Sequence, residues 1–241
     1  MMKITANITD LELTVMQGET PNAYHASLLA DEDGLTLIDA GLPGMFGQIE
    51  EKIRAAGCSP DGVKRLLLTH QDLDHIGTLP QLLERFPGLE VWAHQGEQPY
   101  LEGEKPLIKV PRERVRSMPE GMRALTERMI ESLVPGRVTH VLEHGEELPL
   151  QGGTIVLHTP GHTPGHISLY IPREKLLIAG DALRIDDGVL ALPPENFTPD
   201  MAQASRSLEQ LLELDIDRVL CYHGGLFEGD VRAGLQQIIN R

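Results

Sequence analysis

The sequence is poor in cysteine and in aromatic residues. Its two cysteines, Cys58 and Cys221, stand far apart and outside any Cys-x-x-Cys pair, so no disulfide framework is indicated. We expect both to be buried packing residues. Aromatic residues make up only 4% of the chain against 41% hydrophobic residues in total, so the core must consist mostly of Leu, Val, Ile and Ala.

The sequence also lacks long apolar runs and an excess of basic residues. No apolar run is long enough to span a membrane, and the N-terminal MMKITANITD does not have the pattern of a secretory signal. The formal net charge of −15 argues against nucleic-acid binding, because an acidic surface repels phosphate backbones. We therefore expect a cytoplasmic protein without a membrane or nucleic-acid partner, and a homodimer is left open.

Short apolar runs alternate with helical patterns along the chain. In the first half we predict strands at 25–30, 35–39, 63–68 and 90–93, and helices at 45–56 and 78–86. In the second half we predict strands at 138–142, 153–158, 166–171, 175–179 and 218–221, and helices at 201–213 and 229–240. This alternation is typical of a layered α/β protein.

Residues 97–138 differ from this pattern because they are polar, charged and interrupted by proline. They contain one clear helix near 121–133, and we interpret them as a helical insertion within a single domain that spans residues 1–241. Met122, Leu125, Met129 and Leu133 share one face of that helix. This face can be a packing surface or an apolar wall over a substrate pocket, and both readings are left open.

Metal-ligating side chains cluster at the ends of apolar strands. The clusters are Thr69-His70-Gln71-Asp72-Leu73-Asp74-His75, His158-Thr159-Pro160-Gly161-His162-Thr163-Pro164-Gly165-His166, and His223 before a Gly-Gly pair. A solvated acidic loop would explain Asp72 and Asp74 alone but not the flanking histidines. Four ligand-type residues within a six-residue span exceed what one ion needs, which suggests two ions in a shared cavity.

The motifs resemble those of the metallo-β-lactamase superfamily. His70-x-Asp72-x-Asp74-His75 is similar to the signature His-x-His-x-Asp-His, with Asp72 in place of the second histidine. Four further motifs follow the family's order: Leu37-Ile38-Asp39-Ala40-Gly41, Thr159 to His166 as in glyoxalase II-like members, Ala179-Gly180-Asp181, and Tyr222-His223-Gly224. The resemblance implies a four-layer αββα sandwich.

The resemblance also implies a role for each motif residue. His70, Asp72 and His162 would bind one metal ion, and Asp74, His75 and His223 a second. Asp181 would bridge the two ions together with a water or hydroxide, and Asp39 would orient a ligand. Asp74 and Asp181 are the expected catalytic residues. His158 and His166 match no ligand position of the family, and we interpret them as structural.

Asp72 is the clearest departure from the family pattern. An aspartate oxygen has a reach similar to that of the nearer imidazole nitrogen, so we expect Asp72 to bind metal in its place. It makes the site less positive, which favours Mn²⁺ or Fe²⁺ relative to zinc. We expect two divalent ions per chain, with zinc as the first expectation and manganese or iron as alternatives.

The resemblance implies metal-assisted hydrolysis of a small molecule. The expected reaction uses a metal-bridged hydroxide to cleave an ester-type bond in a lactone, thioester or phosphoester. Two alternatives are left open. A diiron redox protein related to flavodiiron proteins would also carry a carboxylate at position 72, and a metal-binding sensor module would need no turnover. The fold does not choose the bond that is cleaved.

Overall fold

The computed structural model describes residues 1–240, so Arg241, the last residue of the predicted domain, lies outside the described part. The strands are β1 (Met2–Lys3), β2 (Ile8–Gln17), β3 (Thr20–Asp31), β4 (Gly34–Ile38), β5 (Val63–Leu68), β6 (Glu90–His94), β7 (His140–Leu142), β8 (Glu147–Leu148), β9 (Thr154–His158), β10 (Ile167–Ile171), β11 (Leu176–Gly180), β12 (Arg184–Asp186), β13 (Val189–Ala191), β14 (Arg218–Cys221) and β15 (Gly225–Phe227). The α-helices are α1 (Phe46–Ala55), α2 (Leu73–Ile76), α3 (Leu79–Arg85), α4 (Gln98–Leu101), α5 (Arg112–Ser117), α6 (Glu120–Glu131), α7 (Met201–Ser207) and α8 (Val231–Ile239).

The first sheet contains β1 to β7 in the order of the sequence. Strands β1 to β4 pair antiparallel, whereas β4, β5, β6 and β7 run parallel to one another. Parallel neighbours need crossover connections, and the segments that contain α1, α2 with α3, and α4 to α6 provide them. The carboxyl ends of β4, β5 and β6 therefore meet at one edge of this sheet.

The second sheet has the order β15-β14-β11-β10-β9-β8. Only β11 and β14 pair parallel, and α7 lies between them in sequence. Their carboxyl ends therefore share an edge, as do those of β4 and β5 in the first sheet. Strands β12 and β13 form a separate two-stranded hairpin.

The central strands are buried on both faces. In β5, Leu66 and Leu68 pack in the cluster that contains residues of α1, α3 and α6, whereas Leu67 packs between the two sheets. Such alternation follows from the two-residue period of a strand. On the other side, Leu177 of β11 packs in the cluster that contains residues of α8. The layers are thus helix, sheet, sheet and helix, which confirms the predicted αββα sandwich.

Packing of this kind explains why the short apolar runs of the sequence are strands. Leu67 is fully buried between the sheets, so its replacement by alanine would cost about 2–5 kcal/mol of stability. The predicted helix at 201–213 is in fact divided into α7 and a 3₁₀ segment, Glu209–Glu213. Leu208, the residue before that segment, and Leu211 within it are both buried, as the three-residue period of a 3₁₀ helix allows.

The segment 97–138 contains α4 and α5 in addition to the predicted helix, which is α6. Met129 and Leu133 of the apolar face are buried in the core beneath the first sheet, so this face is a packing surface. That residues 1–241 form one domain with this segment as an insertion stays a prediction. Within the described residues, no helix has the length and apolar character needed to cross a membrane.

Candidate metal centre

The predicted ligands follow strand ends in both sheets. His70 comes shortly after β5 and Asp39 directly after β4, in the first sheet. In the second sheet, Asp181 follows β11 directly and His223 follows β14, while His162 lies in the loop between β9 and β10. Because the parallel pairs in each sheet end at a common edge, side chains that are far apart in sequence converge there.

The seven predicted ligands form two adjacent groups. Within each group, the donor atoms of the side chains lie within 4.8 Å of one another. The first group consists of His70, Asp72, His162 and Asp181, and the second of Asp74, His75 and His223. Asp181 also reaches the second group, because its Oδ2 lies 3.3 Å from Nε2 of His162 and 3.4 Å from Nε2 of His223. Asp181 therefore lies between the two groups.

Hydrogen bonds outside the groups fix the imidazole rings. Nδ1 of His75 donates to Oδ2 of Asp39 at 2.9 Å, and the backbone and hydroxyl of Thr69 donate to the same carboxylate. The hydroxyl of Thr69 also lies 3.0 Å from Nδ1 of His70. A carboxylate acceptor requires a proton on Nδ1 of His75, which leaves the lone pair of Nε2 free to face the centre.

His166 holds the backbone of Asp181. Its Nε2 accepts a hydrogen bond from the Asp181 backbone N at 2.9 Å, and its Nδ1 lies 2.9 Å from the hydroxyl of Thr159. Gly180 allows this approach, since a Cβ there would lie 2.8 Å from Nε2 of His166 and the residue has φ of +54°. His166 thus lies beside the centre but in neither group.

Burial and neighbouring charge act in different ways on the two groups. Burial, together with the charge of His75, lowers the pKa of His70 to about 4. Burial would also lower the pKa of His223, but the carboxylates of Asp181 and Asp74 raise it to about 10. The imidazole of His70 is therefore neutral at pH 7, whereas the carboxylates around His223 favour positive charge.

Several donor atoms at the centre have no hydrogen-bond partner among residues 1–240. These buried atoms are Nε2 of His70, Nε2 of His75 and Oδ1 of Asp181. An unpartnered buried polar atom costs about 1–3 kcal/mol, so its presence indicates that something else satisfies it. Imidazole nitrogens and carboxylate oxygens are ligands that proteins use for zinc, manganese and iron. The residues therefore fit divalent metal ions.

A buried glutamate ties two ligand loops together. Glu97 is fully buried, and its Oε2 accepts hydrogen bonds from the backbone N and the side-chain Nε2 of Gln71 at 3.0 and 2.9 Å. Its Oε1 accepts from the backbone N of Gly165 at 2.6 Å. Gln71 directly precedes Asp72, and Gly165 lies in the loop of His162. Glu97 therefore sets how close these two loops approach each other.

A lysine contacts the predicted metal-ligand atoms of the first group. Nζ of Lys109 donates to Oδ2 of Asp72 at 2.6 Å and lies 2.7 Å from Nε2 of His162. The backbone next to it is held as well, because Ile108 N donates to Oε1 of Gln71 at 2.9 Å. The ammonium of Lys109 thus contacts two of the predicted metal ligands directly.

A cavity of about 330 Å³ opens onto both groups, within the size range of small-molecule pockets. Its wall combines apolar side chains with three cationic ones: Leu42, Leu73, Val110, Leu183 and Phe197, with Lys109, Arg114 and Arg184. Among the central carboxylates, Asp74 has the largest exposed fraction, 22% against 11% for Asp72 and 7% for Asp181. Asp74 is therefore the carboxylate most accessible to a molecule in the cavity.

The structure brings all seven predicted ligands together, and it adds residues that sequence reasoning missed. His158 lies outside both groups and stacks on His94 with ring centroids 4.1 Å apart. Lys109 and Glu97 were missed because both lie in the polar segment 97–138, which carries no motif. The one signal for Glu97 was its position just after β6, whose carboxyl end shares the edge of the site.

The sequence profile described as "Metallo-beta-lactamase superfamily" matches residues 20–223. The chain therefore belongs to the metallo-β-lactamase superfamily. This membership confirms the resemblance drawn from the five motifs, and it confirms the predicted class of enzyme, a metallo-hydrolase.

Individual relatives agree with this assignment. The probable metallo-hydrolase YflN of Bacillus subtilis is 31% identical over 238 residues, which cover 91% of this chain and 87% of the relative. The hydroxyacylglutathione hydrolase GloC of Haemophilus influenzae is 32% identical over 154 residues, covering 64% of this chain and 63% of that protein. The crystal structure of a metallo-β-lactamase family protein from Thermus thermophilus, TTHA1429, matches with a TM-score of 0.72 and 24% identity, over 99% of this chain and 80% of that one. This last likeness shows the fold.

Proposed function

We propose that the protein is a hydrolase that holds two divalent metal ions and cleaves an ester-type bond in a small molecule. The observation that carries this proposal is the position of Asp181 between two groups of donors, with buried atoms that lack partners among residues 1–240. Ions bound there would supply a hydroxide nucleophile at neutral pH and polarise the carbonyl or phosphoryl oxygen of the substrate.

Each ligand has a proposed place. The first ion would be held by His70, Asp72 and His162, and the second by Asp74, His75 and His223, with Asp181 shared between them. Asp39 and Thr69 keep the rings of His75 and His70 in position through the hydrogen bonds described above. Rings held in this way lose little freedom when a ligand bond forms, which favours tight binding.

Asp74 is the proposed proton carrier. Its carboxylate is the most exposed of the three and lines the cavity, so it, or a bound water, can take the proton released by the attacking water and pass it to the leaving group. Apolar side chains such as Leu73 and Phe197 form much of the cavity wall and would exclude bulk water around the scissile bond. Zinc is the first expectation for the ions, with manganese or iron as alternatives.

The cavity suggests the chemistry of the substrate. Lys109, Arg114 and Arg184 line it together with apolar side chains, which favours a small amphipathic molecule with an anionic group. The relative named hydroxyacylglutathione hydrolase supports an acyl bond as the one that is cleaved. Lactone, thioester and phosphoester substrates remain the candidate set.

The test combines metal analysis with a substrate panel. We expect elemental analysis of purified protein to give two divalent ions per chain, and a panel of lactones, thioesters and phosphodiesters to reveal turnover. Asp181→Asn should lose at least one ion and reduce hydrolysis by about 100-fold or more, because it weakens the shared ligand. Asp215→Asn, an exposed aspartate paired with Lys175, is the matched control and should match the parent.

Other outcomes would replace the proposal. Bound iron with oxygen uptake and no hydrolysis on the panel would favour the redox alternative. Stable metal binding without either reaction would favour a binding module. Equal hydrolysis by Asp181→Asn and the parent would mean that the proposed centre is not the site of reaction.

A further inference from the structure

We propose that the ammonium of Lys109 holds two ligand atoms of the first ion, Oδ2 of Asp72 and Nε2 of His162, and must leave them before that ion binds, so the two ions load in a fixed order. This inference rests on the proposed two-ion centre. Its tests, however, measure ion binding and lysine accessibility rather than hydrolysis, so the two proposals can fail separately.

His162 can bind either Lys109 or an ion through Nε2, but not both. Nε2 of an imidazole has a single lone pair in its neutral form, and Nζ of Lys109 lies 2.7 Å from this atom. A nitrogen that accepts the lysine hydrogen bond cannot coordinate an ion at the same time. Nδ1 of the same ring lies 3.4 Å from the Thr198 hydroxyl, outside the group, so no second nitrogen is free to replace it.

The ammonium of Lys109 is also too close to these two ligand atoms to leave room for an ion beside it. Oδ2 of Asp72 and Nε2 of His162 are 3.0 Å apart, and Nζ of Lys109 lies 2.6 and 2.7 Å from them. A zinc ion bound to both atoms would lie about 2.0–2.2 Å from each. The ammonium and the ion would then be in contact or nearly so, and like charges at that distance repel strongly. Lys109 and a first ion therefore exclude each other.

Burial and backbone hydrogen bonds hold Lys109 in this position. Its side chain is 11% exposed, and its carbonyl oxygen accepts a hydrogen bond from Nη1 of Arg114 at 2.7 Å. Ile108 N is bound by Gln71, the residue before Asp72. The backbone is thus anchored on both sides of Lys109, whereas its flexible side chain borders the cavity and has room to move there.

The two groups of predicted ligands differ in whether a lysine contacts them. Among residues 1–240, Asp74 forms ion pairs only with His75 and His223, whereas Asp72 pairs with Lys109. An ion in the second group, Asp74, His75 and His223, therefore meets no lysine or arginine that it must displace. We expect this group to take up its ion before the first group does. A carboxylate at position 72 suits both states, because it can pair with the ammonium or bind the ion, which a neutral imidazole could not do equally well.

The direct test is a zinc titration of metal-free protein by calorimetry with a competing chelator. The parent should bind two ions with clearly separated affinities. Lys109→Met should raise the affinity of the weaker step at least about tenfold and leave the tighter step unchanged, because the ion then displaces no cation. Lys105→Met is the matched control, since Lys105 lies in the same segment but over the ring of Tyr100, and both its affinities should equal those of the parent.

A second readout uses the unmodified chain. Acetylation of Lys109, followed by mass spectrometry, should be slow without metal and with one equivalent of zinc, and should rise when the second equivalent displaces the side chain into the cavity. This measurement needs no variant, so it decides the question even if Lys109→Met fails to fold. Two equal affinities that Lys109→Met does not change, or acetylation that is independent of zinc, would overturn the proposal. Ion exchange of this kind without any hydrolysis would leave it standing and remove only the proposed function.

Discussion

Glu97 accepts hydrogen bonds from both loops that carry ligands of the first group. Burial raises its pKa, although the hydrogen bonds from Gln71 and Gly165 act in the opposite direction. Every donor that it faces is therefore matched to a carboxylate oxygen. An amide in its place would direct an N–H group at another N–H group, which is repulsive.

Glu97→Gln should consequently weaken metal binding by the first group. We expect the affinity of the first ion to fall by about 10–100-fold, as is common when a residue that positions ligands is changed. The free energy of unfolding should fall by about 1–3 kcal/mol because a buried donor loses its acceptor. Zinc titration and denaturant unfolding of the metal-free protein measure the two effects separately.

Glu102→Gln is the matched control for this experiment. Glu102 is also buried, but it accepts hydrogen bonds from Gln98 and Val138 and touches neither ligand loop. Both hydrogen bonds end on Oε1 of Glu102, and an amide oxygen can keep them, so this variant should leave zinc affinity unchanged. Equal losses of zinc affinity in both variants would show that the effect is not specific to Glu97.

Some residues of the site could be predicted from the sequence, and others could not. His70 and Asp181 stand in motifs directly after apolar strands, and local pattern is enough to find such residues. Lys109 has no such signal, because its contacts with Asp72 and His162 arise only when the segment 97–138 folds back over the sheet edge. Long-range contacts made by a single flexible side chain leave no periodic trace in the sequence.

At the scale of elements, two positively charged side chains border the cavity from different parts of the fold. Arg184 begins β12 and Arg114 lies in α5. Arg184 pairs with Asp186, yet its Nε is buried without a partner among the described residues. Both side chains are in position to contact an anionic group of a substrate.

Arg184→Gln and Arg114→Gln should therefore affect substrates according to charge. For an anionic ester, KM should rise about 10–150-fold with little change in kcat, since a hydrogen bond to a charged group contributes about 1.5–3 kcal/mol. For the matched neutral ester, KM should not change, and high salt should reduce the difference between the two esters. Zinc content serves as the control, and equal effects on both esters would contradict this prediction.

The hairpin that carries Arg184 was open to prediction from the sequence. Asp187 and Gly188 connect β12 and β13, and both have positive φ, as a two-residue type I′ turn requires. Strand β2 likewise shows an alternation of Leu11, Leu13 and Val15, which pack on the first core. The prolines of the segment 97–138 were a comparable signal for its breaks, because Pro111 directly precedes α5 and Pro119 directly precedes α6.

At the scale of the whole molecule, the stacked histidines should make stability depend on pH. Burial and the charges of His158 and His144 lower the pKa of His94 to about 4. Its Nδ1 also accepts a hydrogen bond from Gly96 N, which protonation would break. Between about pH 4 and pH 6.5 the unfolded chain therefore binds more protons at this residue, so stability falls as pH is lowered through that window.

His94→Asn should remove part of this dependence, because the amide oxygen can still accept from Gly96 but does not titrate. In denaturant unfolding of metal-free protein, the parent should lose about 1–2 kcal/mol more than the variant between pH 7.5 and pH 5. His140→Asn is the control, since His140 is exposed and lies apart from the stacked pair. An unchanged pH dependence in His94→Asn would show that His94 does not carry it.

The two sheets contribute different predicted ligands to the candidate metal centre, and this division has a mechanical consequence. His70 follows β5 of the first sheet and His75 lies in α2 just beyond it, whereas Asp181 and His223 follow strands of the second sheet. Ions bound between these residues would cross-link the two sheets at one edge. Both cysteines are free, so no disulfide cross-links the sheets as well. Separation of the layers would then require release of the ions, which makes the supply of metal a determinant of how long the molecule resists proteolysis.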